Sequence, residues 1–132
     1  MQSTSRAGAD FPRRYRIVRG TEYRALYESG RKLHSGSFVL FGRENRLEHH
    51  RLGITVSRRV GGAVVRNRIK RLLREVFRTS RVEIPHHFDF VVNAKRDCRG
   101  IGYEALRREF LAAALRFGRP AVPEPAAERG ES

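Results

Sequence analysis

The side chains best suited to chemistry in this sequence lie between Arg58 and Arg81, where nine Lys or Arg face one carboxylate, Glu75. Read at about 100° per residue, Val65, Ile69, Leu72, Leu73, Val76 and Phe77 share an apolar arc. Asn67, Lys70, Arg71, Arg74 and Arg78 fall opposite. The i,i+4 neighbours Lys70/Arg74 and Arg74/Arg78 repel instead of pairing. A solvated basic face is the plain alternative. Against it, arginine outnumbers lysine, and guanidinium forks match phosphate oxygens and guanine edges bidentately, so the pattern points to an external polyanion. Gly61-Gly62, just before the helix, is too weak a motif to define a phosphate cradle alone, although backbone amides there can assist.

Composition agrees. The 132 residues carry 25 Arg, 3 Lys and 14 acids, for a formal charge of +14 and a pI near 11.4, the electrostatic footprint of a nucleic-acid binder. A membrane surface is the weaker rival. No apolar run reaches the length of a spanning helix and the first residues lack a secretory h-region, so a cytoplasmic protein is expected. The lone Cys98 has no partner for a disulfide or a metal, which fits a reducing compartment.

Catalytic constellations do not emerge. His49-His50 and His86-His87 are adjacent pairs that point apart, and His34 stands alone, so no metal site is expected. H-E-x-x-H, G-x-S-x-G and Walker patterns are missing, as are paired carboxylates in an apolar run. The expectation is binding chemistry with no catalytic residue in the protein.

The elements that must position the basic run follow in order. Residues 1–12 and 119–132 lack apolar periodicity, the latter being rich in Pro, Ala and acid, and both are expected to be disordered around one domain at 13–118. Thr21 is expected to cap a short helix carrying Tyr23, Leu26 and Tyr27 on one face, with Gly30 after its end. Ser37 to Gly42 and Arg51 to Ser57 read as strands joined as a hairpin by a polar connection. In the second, Leu52, Ile54 and Val56 alternate with Gly53, Thr55 and Ser57. In the first, Phe38 and Leu40 reach the core, leaving Val39 and Phe41 as an apolar strip that is either a binding surface or covered by a terminal segment. Phe88 to Ala94 is a third, largely buried strand. Tyr103 to Phe117 forms the last helix, with Leu106, Phe110, Ala113 and Phe117 inward and Gly118 and Pro120 stopping it.

The run Arg66-Asn67-Arg68-Ile69-Lys70-Arg71-Leu72-Leu73-Arg74, preceded by Ser57-Arg58-Arg59-Val60-Gly61, closely resembles the signature of the bacterial ribonuclease P protein subunit. The resemblance runs from Phe11-Pro12-Arg13-Arg14 through Tyr23, Tyr27 and both strands to the last helix, roughly four-fifths of the chain. It implies an α+β fold, a two-layer α/β sandwich in the order α-β-β-β-α-β-α. The implied four-stranded sheet has a left-handed βαβ crossover, against the general right-handed preference. The strand not read from the residues is expected near Arg31 to His34.

By the same resemblance, the protein joins a catalytic RNA and supports endonucleolytic removal of the 5′ leader of precursor tRNA. The chemistry and the magnesium belong to the RNA, no cofactor is bound by protein residues, and neither an obligate protein partner nor a membrane is involved. Arg58, Arg59, Arg66, Asn67, Arg68, Lys70, Arg71 and Arg74 are implied to contact the RNA. Tyr23, Tyr27, Val39, Phe41, Thr55 and Ser57 are implied to form the leader-binding cleft, where aromatic faces can stack on unpaired bases. Tyr23 and Tyr27 stand where the family often has phenylalanine, and Gly62 where a polar residue is common. Two rivals remain from the residues alone: a ribosomal or other structural RNA-binding protein, and a protein-only nuclease.

Overall fold

The structure is a computed structural model that describes residues 12–117. The expected tails therefore lie outside the described residues, as do Gly118 and Pro120. After a 3-10 turn at Arg13–Tyr15 come α1 (Gly20–Ser29), β1 (Arg31–His34), β2 (Phe38–Glu44), β3 (Arg51–Thr55), α2 (Ala63–Ser80), β4 (Phe88–Ala94) and α3 (Tyr103–Phe117). This is the expected order, and β1 is the short strand anticipated near Arg31 to His34.

The sheet order is β1-β2-β4-β3. β2 and β3 are not a hairpin. β4 lies between them, antiparallel to β2 and parallel to β3, while the hairpin is β1–β2. The reason is burial: Phe88 to Val92 are buried without alternation, which suits a strand with both faces covered, and such a strand takes the middle of the sheet. The polar stretch after β2 instead crosses to the far edge. There Asn45 donates from Nδ2 to Asp89 at 2.9 Å, and its backbone N–H donates to the His87 carbonyl at 3.0 Å.

Phe38, Leu40, Leu52, Phe90 and Val92 meet Ile69, Leu73, Val76 and Phe77 of α2 and Leu106, Phe110, Ala113 and Phe117 of α3 in the main core. The predicted inward residues of both helices are thus where the 3.6-residue period put them. The other face of the sheet carries a smaller cluster of Ile17, Leu26, Phe41 and Val91, with Tyr23 and Val39 packed against it. Hence Phe41 is not part of an open strip. At 8% exposure it is covered by Ile17 and by Leu26 and Tyr23 of α1, so the covering layer is the first helix and the residues leading into it.

α1 also starts differently from its predicted cap. Arg19 occupies the N-cap position without a side-chain bond, the helix begins at Gly20, and Thr21 lies inside it. An ion-pair network holds the helix instead. Arg51 donates from Nε (2.9 Å) and Nη2 (2.7 Å) to the two oxygens of buried Asp89, and its Nη1 reaches Glu22 at 3.2 Å. That clamp fastens α1 at the Asp89 end of the sheet.

Candidate nucleic-acid interface

The sheet register gathers the predicted cleft residues. Val39, Asn93 and Thr55 stand in one row across β2, β4 and β3, and Phe41, Val91 and Gly53 stand two residues along on the same face. α1 covers the second row. Tyr23 fits there because Gly53 has no side chain: a Cβ would stand 2.7 Å from the Tyr23 hydroxyl oxygen. Burial pushes the Tyr23 phenol above its ordinary value, so it stays protonated. Tyr27, 40% exposed, meets Phe41 edge to face at 4.8 Å, and Lys32 places its ammonium 5.7 Å from the other aromatic centroid, Phe41.

The first row stays accessible. Tyr27 donates its hydroxyl to Asn93 Oδ1 at 3.1 Å, and Thr55 Oγ1 donates to the same oxygen. Asn93 therefore ties α1 to β3 through β4. It was read only as part of a strand, and its signal was a lone amide directly after the apolar run Phe90-Val91-Val92. Beside it, Ile54, Thr55, Val56, Ser57, Ala94 and Lys70 complete the lining of an open groove of about 490 Å³. A smaller hollow of about 90 Å³ adjoins it, lined by Arg16, Tyr23, Gly53, Ile54, Lys70 and Arg74 among others.

α2 divides its cations between two directions. Asn67, Arg68 and Arg71 are exposed, as are Arg58 and Arg59 in the preceding loop, whereas half-buried Lys70 and Arg74 line the groove and hollow. Burial, and then neighbouring Arg16, shift the Arg74 guanidinium below its usual value. Arg66 is half-buried and donates from Nε to the Gly61 carbonyl at 3.1 Å, so it also braces the loop. Gly61 is sterically required, since a Cβ would lie 2.8 Å from Val65 Cγ1, whereas Gly62 at the N-cap has open space. No carboxylate occupies the first turn of α2, leaving its amide dipole end uncompensated beside Arg58 and Arg59. Glu75, the one acid of the run, pairs with Arg78 at 2.5 Å and removes that arginine from the unpaired set.

A family model described as Ribonuclease P matches residues 11–118. This chain belongs to the ribonuclease P protein family. A ribonuclease P protein component from Desulfovibrio desulfuricans is 41% identical over 112 residues, spanning 82% of this chain and 86% of that protein. One from Streptococcus pneumoniae is 31% identical over 97 residues, spanning 74% and 79%. Among solved structures, the RNase P protein of Staphylococcus aureus superposes with a TM-score of 0.69 at 30% identity, covering 80% of this chain and 95% of that one. That of Thermotoga maritima gives 0.71 at 30%, covering 76% and 96%. As a ribonuclease P protein component, the chain belongs with an RNA subunit in a tRNA-processing ribonucleoprotein.

Among the described residues no three His, Cys, Asp or Glu side chains converge in a way that could hold a metal ion. In His50, Nε2–H donates to the Ile84 carbonyl at 3.1 Å and Nδ1 accepts the Phe88 N–H at 2.9 Å, so both ring nitrogens are used within the fold. Cys98 is fully buried, which pushes its thiol up to about 11 and leaves it unreactive. Among the described residues no helix is long and apolar enough to cross a membrane.

Proposed function

We propose that this protein docks on the catalytic RNA of ribonuclease P through the outward face of α2 and its preceding loop, and receives the single-stranded 5′ leader of precursor tRNA in the cleft between α1 and the sheet. The observation that carries this reading is the division of cations on α2. Arg68 and Arg71 face outward beside Asn67, while Lys70 and Arg74 turn toward Tyr23, Thr55 and Asn93, so one helix serves two polyanions. A duplex-rich RNA suits the exposed convex face, where arginine forks meet phosphates. An unpaired strand suits the groove, which is open along β3 and whose hydroxyl, amide and aromatic groups do not demand one sequence.

Within this division the RNA subunit performs the hydrolysis, and magnesium held by it stabilises charge at the phosphodiester that is cut. In this reading the protein's own residues bind and orient. Fixing the leader beside the docked RNA raises the effective concentration of the cleavage site at the RNA's active centre. Localisation in the cytoplasm follows from the same role.

The test is cleavage of a leader-bearing precursor tRNA at low magnesium by a bacterial ribonuclease P RNA, with and without this protein. Strong stimulation at the mature 5′ end, with no cut by protein alone, is the expected result. Cleavage by the protein without added RNA would overturn the assignment of chemistry to the RNA, and no stimulation would overturn the subunit role.

A further inference from the structure

We propose that the strand-binding surface continues past the cleft, along the seam between β3 and α2, and ends at a phosphate-binding station where Arg14 and Arg81 flank Tyr15. Its occupant is the part of the leader farthest from the cleavage site, so the inference rests on the leader reading above. The groove at Asn93 and the smaller hollow share Ile54 and Lys70, so the two form one path. The hollow leads to Arg74 and Arg16. Arg16 forms a parallel bridge with Leu52, and the Ile17 N–H donates to the Leu52 carbonyl at 3.0 Å, which fixes the Arg13–Tyr15 turn at the start of β3.

At that end the Arg81 guanidinium carbon lies 4.4 Å from the Tyr15 ring centroid and that of Arg14 lies 5.0 Å away. His49 meets the ring edge at 5.2 Å and 89°, with its Nε2 2.9 Å from the Arg14 carbonyl oxygen. Two cations are thus held at one aromatic ring. Among the described residues neither has a carboxylate at ion-pair distance, and Glu83, the acid nearest Arg81 in sequence, is paired with Arg107. Both guanidiniums also engage the Tyr15 hydroxyl, Arg14 the more strongly, and hold that phenol below its ordinary value, while the remaining N–H donors of each five-donor guanidinium are left for an anion. A ring occupied in this way offers little to a base, so the station fits the sugar–phosphate backbone.

The test uses enzyme reconstituted from this protein and a bacterial ribonuclease P RNA, with precursor tRNAs that share one tRNA body and carry progressively longer leaders. The expected affinity rises with leader length. In Arg14→Gln/Arg81→Gln the gain on passing from short to long leaders falls by on the order of tenfold. The salt slope for the long leader also shrinks by about 0.7 for each contact removed. Arg14→Gln alone, at an exposed position, repeats part of the loss should the double variant melt early. A gain that survives in both variants overturns this inference and leaves the leader reading intact, whereas no dependence on leader length with the unaltered protein overturns the leader reading itself. Weaker binding of the variants to the catalytic RNA alone, with the leader gain unchanged, assigns the two arginines to the RNA subunit and also overturns the inference.

Discussion

Tyr27 and Phe41 touch edge to face, yet they answer to different demands. Tyr27 is 40% exposed and spends its hydroxyl on Asn93, whereas Phe41 packs with Ile17, Leu26 and Val91. Tyr27→Ala is expected to weaken precursor tRNA binding in the assembled enzyme by about 1–3 kcal/mol, with mature tRNA little changed. Equal weakening of both substrates would remove Tyr27 from the leader site. Phe41→Ala is expected to cost about 3–5 kcal/mol of folding stability, read by urea denaturation, because it empties a packed site. His50 sets a pH dependence. Burial holds its pKa below the ordinary histidine value, against the bond to Ile84. The unfolded chain therefore binds the extra proton first. Stability present above about pH 6.5 is expected to decline as pH falls below it, until the folded state also protonates. His50→Gln should flatten that decline in denaturation curves between neutral and acidic pH.

At the scale of elements, α2 carries the most. Its apolar arc was legible because a period of 3.6 needs no tertiary information, and Ile69, Leu73, Val76 and Phe77 are buried accordingly. Which basic residues stay outside was not legible, since a helical wheel cannot know that β3 and α1 border one flank. Arg66 and Arg68 separate two effects. Arg68→Ala removes an exposed charge and is expected to weaken assembly with the catalytic RNA about fivefold to tenfold, by the loss of one phosphate contact. Arg66→Ala removes a charge and also the bond to Gly61 that braces the loop, so a larger loss is expected in the same titration. Unchanged affinity in both would overturn the docking role of this face. The strand pairing misled for a related reason. The polar stretch between β2 and β3 resembles a hairpin loop, and nothing local to it shows that β4, buried from Phe88 to Val92 with Asp89 among them, comes between the two strands.

At the scale of the whole molecule, an excess of 14 positive charges on 132 residues makes assembly an ionic event. If the protein neutralises six to ten phosphates, affinity for the catalytic RNA is expected to fall by about 10³–10⁵ between 50 and 200 mM salt. A slope near zero in that titration would contradict a phosphate-dominated interface. The three helices distribute this charge. α2 and α3 close the larger core on one face, and α1, clamped by Arg51, Asp89 and Glu22 at one end of the other face, leaves the Asn93 end accessible. A cleft therefore results from a helix that is shorter than the sheet face it covers.

The sequence by itself determined the polyanion-binding character, every helix and strand in order except the short β1, and the inward residues of α2 and α3, because charge, period and turn chemistry are local properties. Only the tertiary structure decided that β4 separates β2 from β3, that Phe41 is core, that Asn93 links three elements, and that Lys70 and Arg74 join the groove. Each of those depends on which segment distant in sequence packs alongside, and no local pattern carries that.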